Sequence, residues 1–225
     1  MLIGGYQKMS LIDFPGCVSA IVFLRGCNFM CPYCHNPELL SADGDIVIEE
    51  DFFSMLLENR NMIDGVCVSG GEPCLQSGLP DFLSRLREYG FKIKLDTNGS
   101  VPEMLNDVLS QKLVDYVAMD IKSSWENYGL IACIPGVAEK VKQSLTILQQ
   151  SHIDYEFRTT IFPGTHTLGD FIAIAGYLKE GSKYFIQNIK LEKTLEAIPE
   201  GQNLWAVDIA DELKNRFPHL IIGYR

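Results

Sequence analysis

The stretch Cys27-Asn28-Phe29-Met30-Cys31-Pro32-Tyr33-Cys34 places three cysteines at CxxxCxxC spacing in one loop. It directly follows the apolar run Val18 to Leu24, which predicts a strand, so the thiols lie just past that strand's carboxyl end. Open α/β sheets and barrels place their chemistry at this end. Three thiolates this close can hold an iron–sulfur cluster. Because an ordinary cubane takes four cysteine ligands, three would leave one iron open to another ligand.

Apolar runs and amphipathic segments alternate along the rest of the chain. Strands are predicted for residues 18–24, 65–69, 91–95, 114–119, 155–161 and 184–189. Helices are predicted for residues 48–59, 79–89, 101–109, 137–150, 168–179 and 204–217. Residues 1–16 are expected to form an irregular or hairpin-like lead-in, and residues 220–222 form an apolar tail. Strands that alternate with helices form βαβ units, so the pattern predicts an α/β fold with a parallel sheet. Six strands are two fewer than a closed eight-stranded barrel needs.

The composition is that of a globular protein, and it excludes some function classes. Hydrophobic residues make up 47% of the chain and charged residues 21%, an ordinary balance for a soluble domain. The formal net charge of −10 argues against non-specific nucleic-acid binding, which needs a face rich in lysine and arginine. The chain start shows no signal-peptide pattern, and no apolar run approaches the ~18 residues of a membrane span. We therefore expect a cytoplasmic protein with reduced thiols that binds neither nucleic acid nor membrane.

The four cysteines outside the loop form no second CxxC pair. Cys17, Cys67, Cys74 and Cys133 are therefore interpreted as small buried hydrophobic residues, which predicts one cluster only. The role of Cys74 stays open because it follows the stretch Gly70-Gly71-Glu72-Pro73.

Small and polar residues recur where the second, third and fourth predicted strands end. Gly70 and Gly71 would let the backbone approach a ligand closely, and Glu72 offers a carboxylate to a cationic group, although the three residues could also form a simple turn. Asp96-Thr97-Asn98-Gly99 contains the turn signal Asn-Gly, and Asp96 could be only a cap. Ala118-Met119-Asp120-Ile121-Lys122 follows at the fourth strand, where Lys122 could contact a substrate or pair with an acid.

The fifth predicted strand alternates in polarity. Tyr155, Phe157 and Thr159 share one face, and Glu156, Arg158 and Thr160 share the other. In a barrel the polar face would line the lumen. The Arg158 guanidinium could there bind a carboxylate ligand, or it could form a structural salt bridge to a glutamate.

The cysteine loop, with its aromatic residue directly before the last cysteine, resembles the signature of radical S-adenosylmethionine (SAM) enzymes. The longer stretches Ser10 to Gly16, Arg25 to Asn28 and Cys31 to Glu38 resemble the glycyl-radical-enzyme activases, most closely the anaerobic ribonucleoside-triphosphate reductase activating proteins. The resemblance extends from about Gly4 to about Lys190. It implies a partial (β/α)6 barrel of parallel strands in a single domain over residues 1–225, with a core at 17–190 and a carboxyl-terminal helix and tail at 203–225.

The resemblance also implies a role for each of these stretches. Cys27, Cys31 and Cys34 would ligate one 4Fe–4S cluster. The SAM contacts that it implies are Tyr33 at the adenine, Gly70, Gly71 and Glu72 at the ammonium group, Asp96 and Asn98 beside SAM, and Arg158 at the carboxylate. A monovalent cation would be held by Asp96, Thr97, Asp120 and the carbonyl of Ala118.

The reaction that the resemblance implies is the formation of a glycyl radical on a partner enzyme. Flavodoxin or ferredoxin would reduce the cluster, SAM would be cleaved reductively, and a hydrogen atom would be taken from a glycine Cα of the partner. Cofactors carry such chemistry, so no general base is expected.

Other interpretations stay open. The partner could be pyruvate formate-lyase or another glycyl radical enzyme. A small radical SAM synthase that acts on a deazapurine precursor could have a similar length. An iron–sulfur electron carrier or a zinc-binding module would explain the cysteines, but not the glycines and acids at successive strand ends.

Overall fold

The computed structural model describes residues 1–190, 194–196 and 205–225. Within these residues, eight strands and seven α-helices are formed. The strands are β1 Ile3–Ser10, β2 Ser19–Leu24, β3 Gly65–Gly70, β4 Lys92–Thr97, β5 Tyr116–Asp120, β6 Asp154–Thr160, β7 Lys183–Gln187 and β8 Ile221–Tyr224. The helices are α1 Glu49–Glu58, α2 Leu79–Glu88, α3 Pro102–Ser110, α4 Tyr128–Ala132, α5 Ala138–Gln150, α6 Leu168–Ala175 and α7 Ala206–Arg216.

The order of the strands in the sheet is their order in the chain, from β1 to β8. Strand β1 is antiparallel to β2, whereas β2 with β3, β3 with β4, β6 with β7 and β7 with β8 are parallel pairs. The prediction of an α/β fold with a mostly parallel sheet is therefore confirmed. The six predicted strands correspond to β2 through β7.

The sequence interpretation missed three elements. Strand β1 makes the expected irregular or hairpin-like lead-in an eight-residue strand, which pairs with β2 with two breaks in register. Strand β8 begins within the predicted apolar tail, at Ile221 and Ile222, but it has only four residues and none of them is buried. Helix α4 has five residues, which is too short to show a helical period. The predicted start of the last helix at residue 204 lies outside the described residues.

The chain divides into two compact units. The first contains Met1–Asn28, Glu38–Thr97 and Val101–Val117, and the second contains Phe29–Pro37, Asn98–Ser100 and Ala118–Arg225. The prediction that residues 1–225 form one functional domain stays a prediction. Among the described residues, no helix combines the length and the apolar composition that crossing a bilayer requires.

Aromatic side chains fill the core of the first unit between α1 and α2. The rings of Phe52 and Phe82 stack with centroids 6.1 Å apart, and Phe53 meets Phe82 edge-on at 5.4 Å. All three are almost fully buried. Fully burying such a side chain contributes roughly 1.5–3 kcal/mol, so these contacts hold both helices in place.

The core of the second unit contains a buried charge. Glu156 on β6 is fully buried, and both of its carboxylate oxygens accept hydrogen bonds from the Arg225 guanidinium at 2.8 Å. Arg225 directly follows β8, and its backbone N–H donates to the Ile186 carbonyl at 2.9 Å. The charge pair therefore fixes the carboxyl-terminal strand to the core.

The interpretation of the four remaining cysteines as buried residues is confirmed for Cys17, Cys67 and Cys74 and is wrong for Cys133. Cys133 directly follows α4 with φ of 56°, in a left-handed turn at the surface that exposes its side chain.

Replacing Arg225 with methionine should destabilise the protein by about 2–4 kcal/mol, because the buried Glu156 loses its bidentate partner. Urea denaturation measures the change. The control is Arg216→Met, which removes an exposed pair with Glu212 and should cost no more than about 0.5 kcal/mol. Equal losses for the two variants would contradict this assignment.

Candidate functional site

In the first unit, the ends of β2 and β3 approach each other closely. Leu24 and Gly70 are register partners, the Gly71 N–H donates to the Leu24 carbonyl at 2.8 Å, and the Glu72 N–H donates to the Gly26 carbonyl at 2.8 Å. A Cβ atom at Gly71 would lie 2.1 Å from the Gly26 oxygen, and Gly70 has φ of 121°. Both positions therefore require glycine. Cys27 directly follows Gly26 and is held by its N–H bond to the Leu40 carbonyl at 3.0 Å.

Glu72 connects the ends of β3 and β4. Its side chain is fully buried and accepts a hydrogen bond from the Thr97 hydroxyl at 2.7 Å and another from the Cys74 N–H at 3.0 Å. Burial, reinforced by the nearby Glu72 carboxylate, raises the pKa of Cys74 well above its usual value. Cys74 is therefore a protonated, unreactive thiol, as expected of a buried structural cysteine.

Asp96 lies at the end of β4 and accepts hydrogen bonds from two side chains of the first unit. The Ser69 hydroxyl donates to Oδ2 at 3.3 Å, and the Lys94 ammonium group forms a short ion pair with Oδ1. The sequence interpretation missed Lys94. A lysine between the apolar residues Ile93 and Leu95 was the signal that could have found it.

In the second unit, the cysteine loop is held by aromatic contacts and backbone hydrogen bonds. Phe29 meets Tyr128 edge-on with centroids 6.4 Å apart, and the Cys34 N–H donates to the Cys31 carbonyl at 2.9 Å. Cys31 is buried and Cys34 is half-buried, and neither they nor Cys27 form a disulfide.

Tyr33 has a buried hydroxyl group without a hydrogen-bond partner. Its ring is 4% exposed and packs against Phe162 with centroids 5.3 Å apart. The Oη atom is fully buried and unpartnered. Burial raises the pKa of Tyr33 well above its usual value, so the phenol stays neutral. A buried polar atom without a partner requires an explanation, and a ligand bound beside Tyr33 would supply one.

Asp120, Lys122 and Arg158 form one charged cluster where β5 ends. Arg158 Nε donates to Asp120 Oδ1 at 2.8 Å, and Lys122 Nζ donates to Oδ2 at 3.0 Å. Burial alone would raise the pKa of Asp120, but the two cations outweigh it and hold the pKa well below its usual value. Burial alone would likewise lower the pKa of Lys122, but Asp120, Tyr33 and Cys31 raise it well above its usual value.

Asn98 forms part of a tight turn in the second unit. Its Oδ1 accepts a hydrogen bond from the Ser100 N–H at 2.9 Å, and Gly99 between them has φ of 72°. The Ser144 hydroxyl donates to the Gly99 carbonyl at 2.7 Å, which attaches the turn to α5. The turn signal in the sequence is therefore correct, and the SAM contact of Asn98 stays a prediction.

The predicted site residues are thus distributed over both units. The first unit brings together Cys27, Gly70, Gly71, Glu72, Asp96 and Thr97. The second unit holds Cys31, Tyr33, Cys34, Asn98, Ala118, Asp120, Lys122 and Arg158. Lys122 forms an ion pair with Asp120, and its contact with a substrate stays a prediction. Arg158 forms an ion pair with an aspartate, Asp120, whereas the salt-bridge alternative names a glutamate.

The sequence pattern of the radical SAM superfamily matches residues 21–178, which is well over half of the chain. The chain belongs to the radical SAM superfamily. This radical SAM enzyme is 33% identical over 195 residues to a Methanocaldococcus jannaschii protein provisionally named glycyl-radical enzyme activating enzyme, and the match covers 84% of this chain and 80% of the relative.

Two shorter matches link the radical SAM chain to enzymes with different substrates. It is 36% identical over 122 residues to the pyruvate formate-lyase-activating enzyme of Clostridium pasteurianum, a match that covers 52% of this chain and 50% of the relative. It is 33% identical over 130 residues to the 7-carboxy-7-deazaguanine synthase of Methanopyrus kandleri, which covers 48% of this chain and 51% of the relative.

A solved structure shares the fold of this radical SAM enzyme. Streptococcus suis SuiB bound to S-adenosylmethionine superposes with a TM-score of 0.67 at 13% identity, over 88% of this chain and 48% of SuiB. The chain thus spans about half the length of SuiB.

The radical SAM family implies a 4Fe–4S cluster and SAM, and the chemistry of the donor groups fits both. The loop supplies three thiols that form no disulfide, one fewer than a fully cysteine-ligated cubane takes. In the second unit, the buried Tyr33 hydroxyl without a partner fits a position at which a polar ligand binds. In the first unit, Gly70 and Gly71 lie against the backbone of Leu24 and Gly26, directly before the cysteine loop.

Replacing Gly71 with alanine should destabilise the protein by about 1–3 kcal/mol, because its Cβ would overlap the Gly26 carbonyl. Chemical denaturation of the cluster-free protein measures this. The control is Gly5→Ala on β1, where a Cβ meets nothing within 4 Å. The control should change stability by no more than about 0.5 kcal/mol. A Gly71→Ala protein as stable as the control would disprove the close approach.

Replacing Asp120 with asparagine should cost about 2–4 kcal/mol at pH 7, because Lys122 and Arg158 lose their shared carboxylate. The folded pKa of Asp120 is lowered. Its stabilisation is therefore present above the unfolded pKa of about 3.9 and is lost as the pH falls through the lower folded pKa.

Denaturation of wild type and variant from pH 7 to pH 2 should thus give a constant difference down to about pH 4 and a shrinking one below it. The control Asp211→Asn removes an exposed pair with Lys214 and should stay within about 1 kcal/mol of wild type throughout. A difference that grows as the pH falls would have the wrong sign for a lowered pKa.

Proposed function

We propose that this radical SAM enzyme is an activase that forms a glycyl radical on a partner enzyme. The observation that carries the proposal is the 33% identity with the provisionally named M. jannaschii activating enzyme over 84% of this chain and 80% of that one. A match of this length supports a shared reaction type better than the two matches that cover about half of the chain.

The cysteine loop is proposed to hold the cluster. Cys27, Cys31 and Cys34 would ligate it, and the loop spacing brings the three thiols within one eight-residue stretch. A cytoplasmic, reducing environment would keep these thiols free. When bound, the cluster and SAM supply one-electron cleavage of the sulfonium and abstraction of a hydrogen atom, chemistry that protein side chains cannot perform.

The protein's part is to bind and orient SAM. Glu72 offers a buried carboxylate to the SAM ammonium group, and Gly70 and Gly71 permit close backbone approach. In the second unit, Asp120 orients the Arg158 guanidinium, which we propose binds the SAM carboxylate. Tyr33 offers its ring to the adenine, and its unpartnered hydroxyl supports a ligand at that position.

The remaining assignments are finer proposals. Asp96 and Asn98 would lie beside SAM, and the monovalent cation predicted at Asp96, Thr97, Asp120 and the Ala118 carbonyl stays a prediction. Residues 1–225 would act as one radical SAM domain, which the match over residues 21–178 supports because it includes parts of both units. Flavodoxin or ferredoxin is the proposed electron donor.

A protein substrate is supported by the loop between β1 and β2. Leu11 and Ile12 are 73% and 84% exposed there. The Ser10 hydroxyl accepts hydrogen bonds from the N–H groups of Ile12 and Asp13 at 3.2 and 3.3 Å, so the loop is ordered while it exposes two apolar side chains. We propose anaerobic ribonucleoside-triphosphate reductase as the partner, on the resemblance of residues 10–16 and 34–38.

A radical SAM synthase of the 7-carboxy-7-deazaguanine type is the second candidate. The match to the M. kandleri enzyme, 33% identical over 130 residues, favours it. It differs in its substrate, which would be a small molecule rather than a protein.

Anaerobic reconstitution with iron and sulfide, followed by reduction with dithionite, tests the proposal. We expect a paramagnetic resonance signal of the reduced cluster that SAM perturbs, release of 5′-deoxyadenosine, and a glycyl radical doublet on anaerobic ribonucleoside-triphosphate reductase. Cys31→Ala should abolish all three. Cys133→Ala, an exposed cysteine outside the loop, should abolish none.

The outcomes separate the candidates. The synthase becomes the better proposal if deoxyadenosine forms and a deazapurine precursor is turned over, but no doublet appears on this or any other glycyl radical enzyme. A cluster that is indifferent to SAM would refute both enzymes and leave an electron carrier.

A further inference from the structure

A fully buried lysine lies on β4 without a role in the proposed chemistry. Lys94 is 1% exposed, and the flanking residues Ile93 and Leu95 are completely buried. Lysine is almost never buried to this degree unless it is paired with an acid. Because side chains alternate along a strand, Lys94 and Asp96 share one face of β4.

The Lys94 ammonium group contacts groups on two strands. Nζ forms a short ion pair with Asp96 Oδ1 and lies 3.7 Å from Cys67 Sγ, and Cys67 is the register partner of Lys94 on β3. The second oxygen of Asp96 accepts the hydrogen bond from Ser69. Both carboxylate oxygens of Asp96 thus have donors within the first unit, and one donor carries a full positive charge.

The arrangement does not suit a metal ion at Asp96. A hard cation needs several oxygen ligands around it. The Thr97 hydroxyl, which donates to Glu72 at 2.7 Å, could supply one such oxygen, but both Asp96 oxygens already accept hydrogen bonds from Lys94 and Ser69. A metal ion on the Asp96 carboxylate would also adjoin the Lys94 ammonium group and be repelled by it.

Asp120, the other predicted acidic ligand, has a similar environment in the second unit. Both of its oxygens accept hydrogen bonds from cationic groups, those of Lys122 and Arg158. In each unit, the predicted metal-binding carboxylate is therefore neutralised by the protein's own cations.

We propose that the Lys94 ammonium group is a built-in cation that takes the place of a monovalent metal ion at Asp96 and fixes the orientation of its carboxylate. Lys94 is then a positioning residue, and it acts through Asp96. The position of Asp96 beside SAM rests on the proposed function. The occupancy of the cation position by Lys94 does not.

The experiment compares potassium with tetramethylammonium chloride at constant ionic strength. Tetramethylammonium is too large for a position that fits a lysine ammonium group. The first readout is the melting temperature of the cluster-free protein, and the second is the SAM affinity of the reconstituted protein. The proteins are wild type, Lys94→Met, Lys94→Met with Asp96→Asn, Lys94→Arg, and Lys92→Met as an exposed control on the same strand.

Wild type and Lys92→Met should not respond to potassium. Lys94→Met should melt roughly 6 °C or more below wild type in tetramethylammonium, because Asp96 loses its buried partner. Potassium at tenfold excess over its dissociation constant should restore about 3–6 °C of this loss. The double variant should not respond to potassium, because the carboxylate that would bind it is gone.

A saturable rise of the wild-type melting temperature with potassium would overturn the proposal, and this arm holds even if Lys94→Met fails to fold. Lys94→Arg, which keeps the charge, should be as insensitive as wild type, and a potassium response there would also contradict it. If the melting temperatures follow the expected pattern but no protein binds SAM, the proposed function fails and the role of Lys94 stands. If SAM binds and wild type responds to potassium, the proposed function stands and the role of Lys94 is refuted.

Discussion

The close backbone contact between the ends of β2 and β3 is the constraint on which the polar arrangement of the first unit depends. The N–H groups of Gly71 and Glu72 donate to carbonyls that precede Cys27 in the chain, and no side chain fits at position 71. These bonds fix where the Glu72 side chain begins, so they also determine that its carboxylate reaches Thr97 on β4. This contact between main chains therefore fixes the ends of β2, β3 and β4 relative to one another, and it fixes the position at which the cysteine loop begins.

Charge compensation is the second constraint, and each unit satisfies it internally. Asp96 is paired with Lys94, Asp120 with Lys122 and Arg158, and Glu156 with Arg225. An isolated buried charge costs several kcal/mol, so removing either partner of such a pair destabilises the fold, whereas the intact pair adds little net stability. What the pairs provide is geometry, because each acid has its orientation fixed by a specific donor. Polar strand ends can thus be buried and still hold a defined shape.

The predictable part of this fold is the part that local patterns encode. Strands β2 to β7 are apolar runs or alternate between apolar and polar residues, and turn residues bound them, so their positions follow from the sequence. Strand β8 is defined mainly by its pairing with β7. Among the site residues, too, local motifs are predictable from the sequence, whereas contacts between distant positions are not. Asp120 and Arg158 are recognisable as site residues from their motifs, but their pairing joins positions 38 residues apart and depends on the fold. Lys94 was missed for this reason, since Cys67 becomes its neighbour only through strand register.

The protonation states of Asp120, Lys122 and Tyr33 in the second unit argue against general acid–base catalysis by these residues. The pKa of Asp120 lies well below its usual value, and those of Lys122 and Tyr33 lie well above theirs. At neutral pH these residues are a fixed anion, a fixed cation and a fixed neutral phenol, and none is poised to exchange a proton. General acid–base catalysis needs a group that titrates near the working pH. These residues instead supply constant charges and hydrogen bonds, which suits a radical SAM enzyme, where the cofactors carry the reaction and the protein holds them in place.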